Sequence, residues 1–325
     1  MIFRTAIFIA SLAASFPLWA GPPTLSLPID CDLGTTCFIQ NYVDANPGPS
    51  AQDFQCGALT YDGHRGTDIR LAHRDQILGN GVAVLASSSG KVVAIRDSLP
   101  DIAQGDTGAP DVSGVECGNG VLLDHGDGWR TQYCHMRSGS VWVKPGQTIK
   151  QGAPLGLVGL SGRTEFPHVH VKVTLDNEVV DPFRPDGAKS CTSAPTSQLW
   201  SPPLSYLSGG VLSAGITVSP PKFSEIRQGL RTTKQVDQAA DALIVWGYFF
   251  GAQSGDAVTI TLRNPAGALI VNRRFNLDRT QAEAFRFAGK RPPTGGWLTG
   301  VYSATLTLTR DGQKLAQENI TTEVR

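Results

Sequence analysis

The stretch Pro167-His168-Val169-His170-Val171-Lys172-Val173-Thr174 decides the fold of the region around it. Valine recurs at every second position and a polar residue stands between each pair, the period of a half-buried β-strand. Residues two apart on a strand share a face, so His168 and His170 project together. Two neutral imidazoles on one face can meet one metal ion, or one can bind while the other handles protons. The pair alone does not separate these uses from two partly exposed strand histidines.

Further upstream, Gly63-His64-Arg65-Gly66-Thr67-Asp68 holds a second histidine and a carboxylate. A fully extended chain would place His64 and Asp68 roughly 13 Å apart. A sharp bend at Gly66 would let them converge; the plainer alternative is a turn in which Asp68 caps its own backbone. Taken with the strand histidines, the set offers two nitrogens and one oxygen. Three protein ligands leave a fourth tetrahedral position open, the composition of a catalytic and not a structural zinc site. The third element is the segment 129–136, Trp-Arg-Thr-Gln-Tyr-Cys-His-Met, entered through Asp124-His125-Gly126-Asp127-Gly128. It reads as a hairpin with 120–125, bringing Cys117 near Cys134 and leaving His135 on the face opposite Cys134. His125, at the turn, reads as structural, and His73, beside the charged residues Arg74 and Asp75, as an exposed surface histidine.

Around these motifs, short strands are predicted at 37–43, 81–86, 90–96, 120–125, 129–136 and 168–175, divided by Gly, Asp, Asn and Pro turns. The acidic segment 97–116 reads as an insertion, either a lid or a mobile loop. Six further strands are predicted at 242–250, 256–263, 268–276, 282–287, 300–309 and 313–322, a β-sandwich pattern. The aromatics near Trp246 and Trp297 read more readily as core than as an exposed sugar-stacking surface. The expected division is a signal peptide at 1–20, an extension at 21–57, a catalytic domain at 58–190, a Ser/Pro/Gly-rich linker at 191–220 and the sandwich at 221–325. The fold class is all-β.

Arg4, the apolar run 6–14 and Leu18-Trp19-Ala20 before Gly21 have the layout of a secretory signal. In an exported chain the six cysteines point to disulfides. The expected pairs are Cys31 with Cys37 and Cys117 with Cys134, which leaves Cys56 for Cys191. Lys and Arg total 28, as do Asp and Glu, so no basic surplus points to nucleic acid or to a membrane surface.

His64-x-x-x-Asp68, Tyr133-x-His135-Met136 and Ser161-Gly162 followed by Pro167-His168-Val169-His170 together resemble the signature of the LytM/lysostaphin-type zinc endopeptidases. The resemblance covers roughly residues 58–185 and departs from the family pattern at Met136, Cys134 and the 97–116 insertion. It implies a lysostaphin-like antiparallel β catalytic domain, with His64, Asp68 and His170 as zinc ligands and His135 and His168 as catalytic histidines. It also implies an exported, periplasmic or extracellular enzyme that hydrolyses peptide cross-links of peptidoglycan. Other readings are the same chemistry on a glycine-rich protein, a non-catalytic regulator of wall amidases, and a carrier module, which lacks its lysine here. A wall polymer or a protein partner is the expected ligand of the C-terminal region.

Overall fold

The structure, a computed structural model, describes residues 21–187 and 197–325. The expected signal segment and Cys191 lie outside the described residues. No described helix is long and apolar enough to cross a membrane.

The first part of the chain carries ten strands: β1 (Cys37–Asn41), β2 (Thr67–Leu71), β3 (Ala83–Leu85), β4 (Gly90–Arg96), β5 (Asn119–Gly126), β6 (Trp129–Met136), β7 (Thr148–Ile149), β8 (Pro154–Leu157), β9 (His168–Leu175) and β10 (Glu178–Val180). The main sheet runs β1-β2-β9-β6-β5-β4-β7, with β10 also paired to β9, and β3 and β8 form a separate antiparallel pair. Pairing in the main sheet is antiparallel throughout. The alternation read in β9 is realised: Val169, Val171 and Val173 are buried in the core beneath the sheet, leaving His168, His170 and Lys172 on the other face.

Strand β2 was read from sequence only as a glycine turn. Its Ile69 and Leu71 join the core, and Asp68 pairs directly with His170 across the ladder. The segment 97–116 is packed rather than free. Asp97 accepts the amides of Ser140 and Val141, and Asp101 those of Ser138 and Leu160. Its own Ala103 and Val112 are buried.

The second part holds β11 (Gly210–Thr217), the short helix α1 (Phe223–Gln228), β12 (Gln235–Val236), β13 (Leu243–Ala252), β14 (Ala257–Arg263), β15 (Leu269–Asn276), β16 (Gln281–Lys290), β17 (Gly300–Arg310) and β18 (Gln313–Val324). A three-stranded sheet, β11-β13-β16, faces a five-stranded one, β12-β18-β17-β14-β15, across a shared apolar core. Residues 210–217 fall within the expected linker but form β11. Their ladder partner, β13, lies some thirty residues on, which local composition does not reveal.

Every residue of β13 is buried. Leu243, Val245 and Phe249 fill the sandwich core, while Trp246, Tyr248 and Phe250 face the other way and join the core of the first part. Strands covered on both faces read as unbroken apolar runs, and Leu-Ile-Val-Trp-Gly-Tyr-Phe-Phe is one. Each of the three large aromatics contributes roughly 2–3 kcal/mol by burial, enough to make this a firm seam. Trp297 is buried as well, so neither tryptophan offers a stacking surface.

A charged cluster lies within the seam. Arg70 of β2 is buried and reaches Glu283 Oε1 at 2.6 Å, Gln40 Oε1 at 2.8 Å and the Tyr248 hydroxyl at 3.0 Å. Burial alone would raise the Glu283 pKa, but Arg70, Tyr248 and Arg227 outweigh it and hold the carboxyl below its usual range. His73, read as exposed, is buried here instead. The sandwich covers it, its Nδ1 meets the Ile226 carbonyl at 2.9 Å, and only its neighbours Arg74 and Asp75 turn outward to pair with Asp106 and Arg231.

Disulfides join Cys31 to Cys37 and Cys117 to Cys134, as the sequence led us to expect. The expected partner of Cys56 lies outside the described residues.

Glu283→Ala leaves the Arg70 guanidinium buried without its counter-charge, and we expect a loss of about 3 kcal/mol in unfolding free energy by urea denaturation at pH 7. Because the folded pKa of Glu283 is depressed, its contribution is complete above about pH 4.3 and is lost as pH falls through the lower folded value. The gap between variant and parent must therefore narrow in acid; a constant gap down to pH 2 would contradict this origin.

Candidate active site

Four elements converge at one end of the β2–β9–β6 region. His64 comes from the turn before β2, Asp68 from β2, His168 and His170 from β9 and His135 from the end of β6. The chain bends at Gly66, which is the first of the two alternatives its sequence left open. A Cβ on Gly66 would stand 2.6 Å from the Cε1 and Nε2 atoms of His170, so the residue must be glycine for the imidazole to lie flat against the turn.

Asp68 Oδ1 lies 2.7 Å from His170 Nδ1 and 3.1 Å from His64 Nε2, and those two nitrogens are 3.2 Å apart. Ligands around a tetrahedral zinc at about 2.0–2.1 Å are separated by roughly 3.4 Å, so these three atoms could hold one metal ion with little movement. Their outer partners fix how they point. His64 Nδ1 lies 2.6 Å from the carbonyl oxygen of Tyr42, which can only accept, so this nitrogen carries the proton. Asn41 donates to Asp68 Oδ2 at 2.9 Å.

With that proton committed to Tyr42, His64 Nε2 and Asp68 Oδ1 are two acceptors 3.1 Å apart. Such an arrangement calls for a cation, either a second proton on His64 or a metal ion. The first alternative shows in the pKa. Burial lowers that of His64, but Asp68 opposes this more strongly and the net shift is upward. Asp68 itself is held well below its usual range, its burial being outweighed by His64, His168 and His170. His170 is pushed down, chiefly by burial.

The other two histidines lie alongside. His168 Nε2 is 3.5 Å from Asp68 Oδ1, and the rings of His135 and His168 are 4.6 Å apart between centroids. Both are tied through Nδ1 to backbone carbonyls, His135 to Ser161 at 2.8 Å and His168 to Phe166 at 2.9 Å. Each Nδ1 must therefore donate, and when neutral each ring keeps Nε2 as an acceptor. Burial, with His168 and His170 nearby, holds the His135 pKa well down.

His135 does not lie opposite Cys134. Its φ of 62° is in the left-handed region, and the register of β6 against β5 slips between Asn119 and Val121. This bulge turns His135 out of the alternation, and both Cys134 and His135 line the same open groove of about 650 Å³. Tyr61, Arg65, Glu116, Gln132, Arg163 and Lys172 also border it. Sequence reading did not single out Arg65, Lys172, Asn41 or Tyr42; the only available signal was that each adjoins a histidine motif or β1. His125, read as structural, bonds Ser89 O and Thr131 Oγ1 away from the groove.

Residues 62–182 match the family description Peptidase family M23. Among curated proteins, the chain is 28% identical over 123 residues to Peptidoglycan DD-endopeptidase ShyB of Vibrio cholerae, covering 38% of this chain and 23% of that protein. It is 32% identical over 105 residues to Cell division protein DipM of Caulobacter vibrioides, covering 32% of this chain and 14% of that one. The chain thus spans less than a quarter of the length of either relative. Among solved structures, the catalytic domain of lysostaphin from Staphylococcus simulans is 26% identical, with 37% of this chain and 76% of that chain covered and a TM-score of 0.27.

A metal held by these ligands competes with the second proton of His64. Metal affinity, measured by equilibrium dialysis, should therefore fall as pH drops through the raised His64 value, a decline already under way at pH 6.5. Affinity that stayed flat between pH 8 and 5.5 would show that the ion binds elsewhere.

Proposed function

We propose that the chain, whose residues 62–182 match Peptidase family M23, is an exported zinc endopeptidase that hydrolyses peptide cross-links of bacterial peptidoglycan. The observation that carries this is the convergence of His64 Nε2, Asp68 Oδ1 and His170 Nδ1, beside two more imidazoles, in an open groove. Two nitrogens and a carboxylate oxygen suit zinc and leave a coordination position free. The names of the curated relatives supply the substrate class. The signal-like residues 1–20 and the disulfides agree with export.

Zinc in this position supplies a Lewis acid for the scissile carbonyl and lowers the pKa of water towards roughly 7. The protein's own part follows from the two tied imidazoles. His168, its Nδ1–H held by Phe166, presents Nε2 to take a proton from the attacking water. His135 is kept neutral by burial, and with its Nδ1–H held by Ser161 it presents Nε2 as a second acceptor that helps to orient the attacking water. The one proton that His168 has taken then goes to the leaving amine. A non-catalytic regulator would need none of these five side chains, and all are present and assembled.

His168→Ala should retain zinc yet lose turnover of purified sacculi by at least about a hundredfold, whereas His64→Ala and Asp68→Ala lose both metal and activity. Mass analysis of released fragments, with metal content measured in parallel, checks this. Normal fragment release by His168→Ala would remove the base from the scheme, and release unaffected by a chelator would remove the zinc.

A further inference from the structure

The groove beside the metal ligands carries positive charge that the fold does not neutralise. Lys172 lies two residues beyond His170 on the same face of β9, and Arg65 directly follows His64. Both line the groove and lie close enough to act on each other electrostatically, like charge against like. Neither forms an ion pair or a side-chain hydrogen bond among the described residues. The other charges of this surface are engaged: Arg163 with Glu116, and Arg130 with Asp124. Asp62, the remaining acid on the rim, forms no ion pair with either cation.

Gln132, on β6, is the cross-strand partner of Lys172. Its side-chain amide also has no hydrogen-bond partner among the described residues, and it lines the same groove. A guanidinium, an ammonium and an amide are therefore presented together as unmatched donors on one wall. Holding like charges side by side is unfavourable, and a bound anion relieves it.

We propose that Arg65, Lys172 and Gln132 form a subsite for a free carboxylate of the substrate. This rests on the peptidase reading given above. Two strand residues span about 7 Å, so Lys172 sits one to two peptide residues along from the metal ligand His170. The substrate is then a peptide bearing an unamidated carboxylate within about two residues of the scissile bond. An uncharged glycine-rich strand leaves the three donors unmatched and is disfavoured.

The test uses dimeric muropeptides in two forms: native, and with their free carboxylates converted to carboxamides. The zinc-loaded full-length protein should cleave the native form with a kcat/KM about tenfold or more higher, as expected for a charge-assisted contact. Lys172→Gln and Arg65→Gln should each reduce that preference, Lys172→Arg should keep it, and Lys172→Glu should turn it towards the amidated form. A merely structural lysine would not produce the reversal. Equal kcat/KM for the two forms in the parent protein overturns the proposal, as does an undiminished preference in the double variant Arg65→Gln/Lys172→Gln. If the parent cleaves neither form, calorimetric titration with both separates the two ideas. Carboxylate-dependent binding that the double variant loses keeps the subsite and rejects the peptidase reading. Its absence rejects the subsite.

Discussion

A carboxylate removed from water must be surrounded by groups that repay its lost hydration, and Asp68 is the point on which this structure turns. Three imidazoles and the Asn41 amide enclose it. No two neighbouring residues could supply that shell. It requires β1 beside β2 for Asn41 and Tyr42, and β2 beside β9 for the histidine pair. Strand β6 must flank β9 so that the bulge at His135 closes the far side. The sheet order follows from the needs of one buried charge as much as from its apolar face.

The same logic explains why the site is so closely braced. Each site histidine other than His170 is anchored through Nδ1 to a main-chain carbonyl, His64 to Tyr42 just after β1, and His135 and His168 to Ser161 and Phe166 in the connection between β8 and β9. Phe166, whose carbonyl holds His168, also lies under the Arg70 guanidinium at 4.6 Å. Arg70 is held in turn by Tyr248 and Glu283 of the sandwich. Ring orientation near the groove is thus connected, through a few contacts, to β13 and β16 of the sandwich.

Much of this could be read before any coordinates. The two-residue period of 167–174 gave both the strand and the shared face of His168 and His170. The glycine at position 66 correctly marked a bend, and the six later strands fell close to their expected bounds. What escaped reading depends on partners remote in sequence. Strand β11 is composed like a linker and becomes a strand only against β13. His73 is buried only because α1 lies over it. His135 faces the groove because it adopts a left-handed conformation near the end of β6, which no alternation rule anticipates. Arg70 looks like an ordinary surface charge until the sandwich covers it.

The double burial of β13 constrains how such a chain can change. Trp246, Tyr248 and Phe250 are shaped to the first part of the molecule and Leu243, Val245 and Phe249 to the second, so the strand belongs to both. The sandwich is consequently not a detachable accessory that recombination could exchange like a bead on a string. Any foreign replacement would have to bring an acid for Arg70 and an aromatic face for Phe38, or else be accompanied by a new β1 and β2. Gln40, Arg70, Tyr248 and Glu283 would be inherited as one block or lost as one.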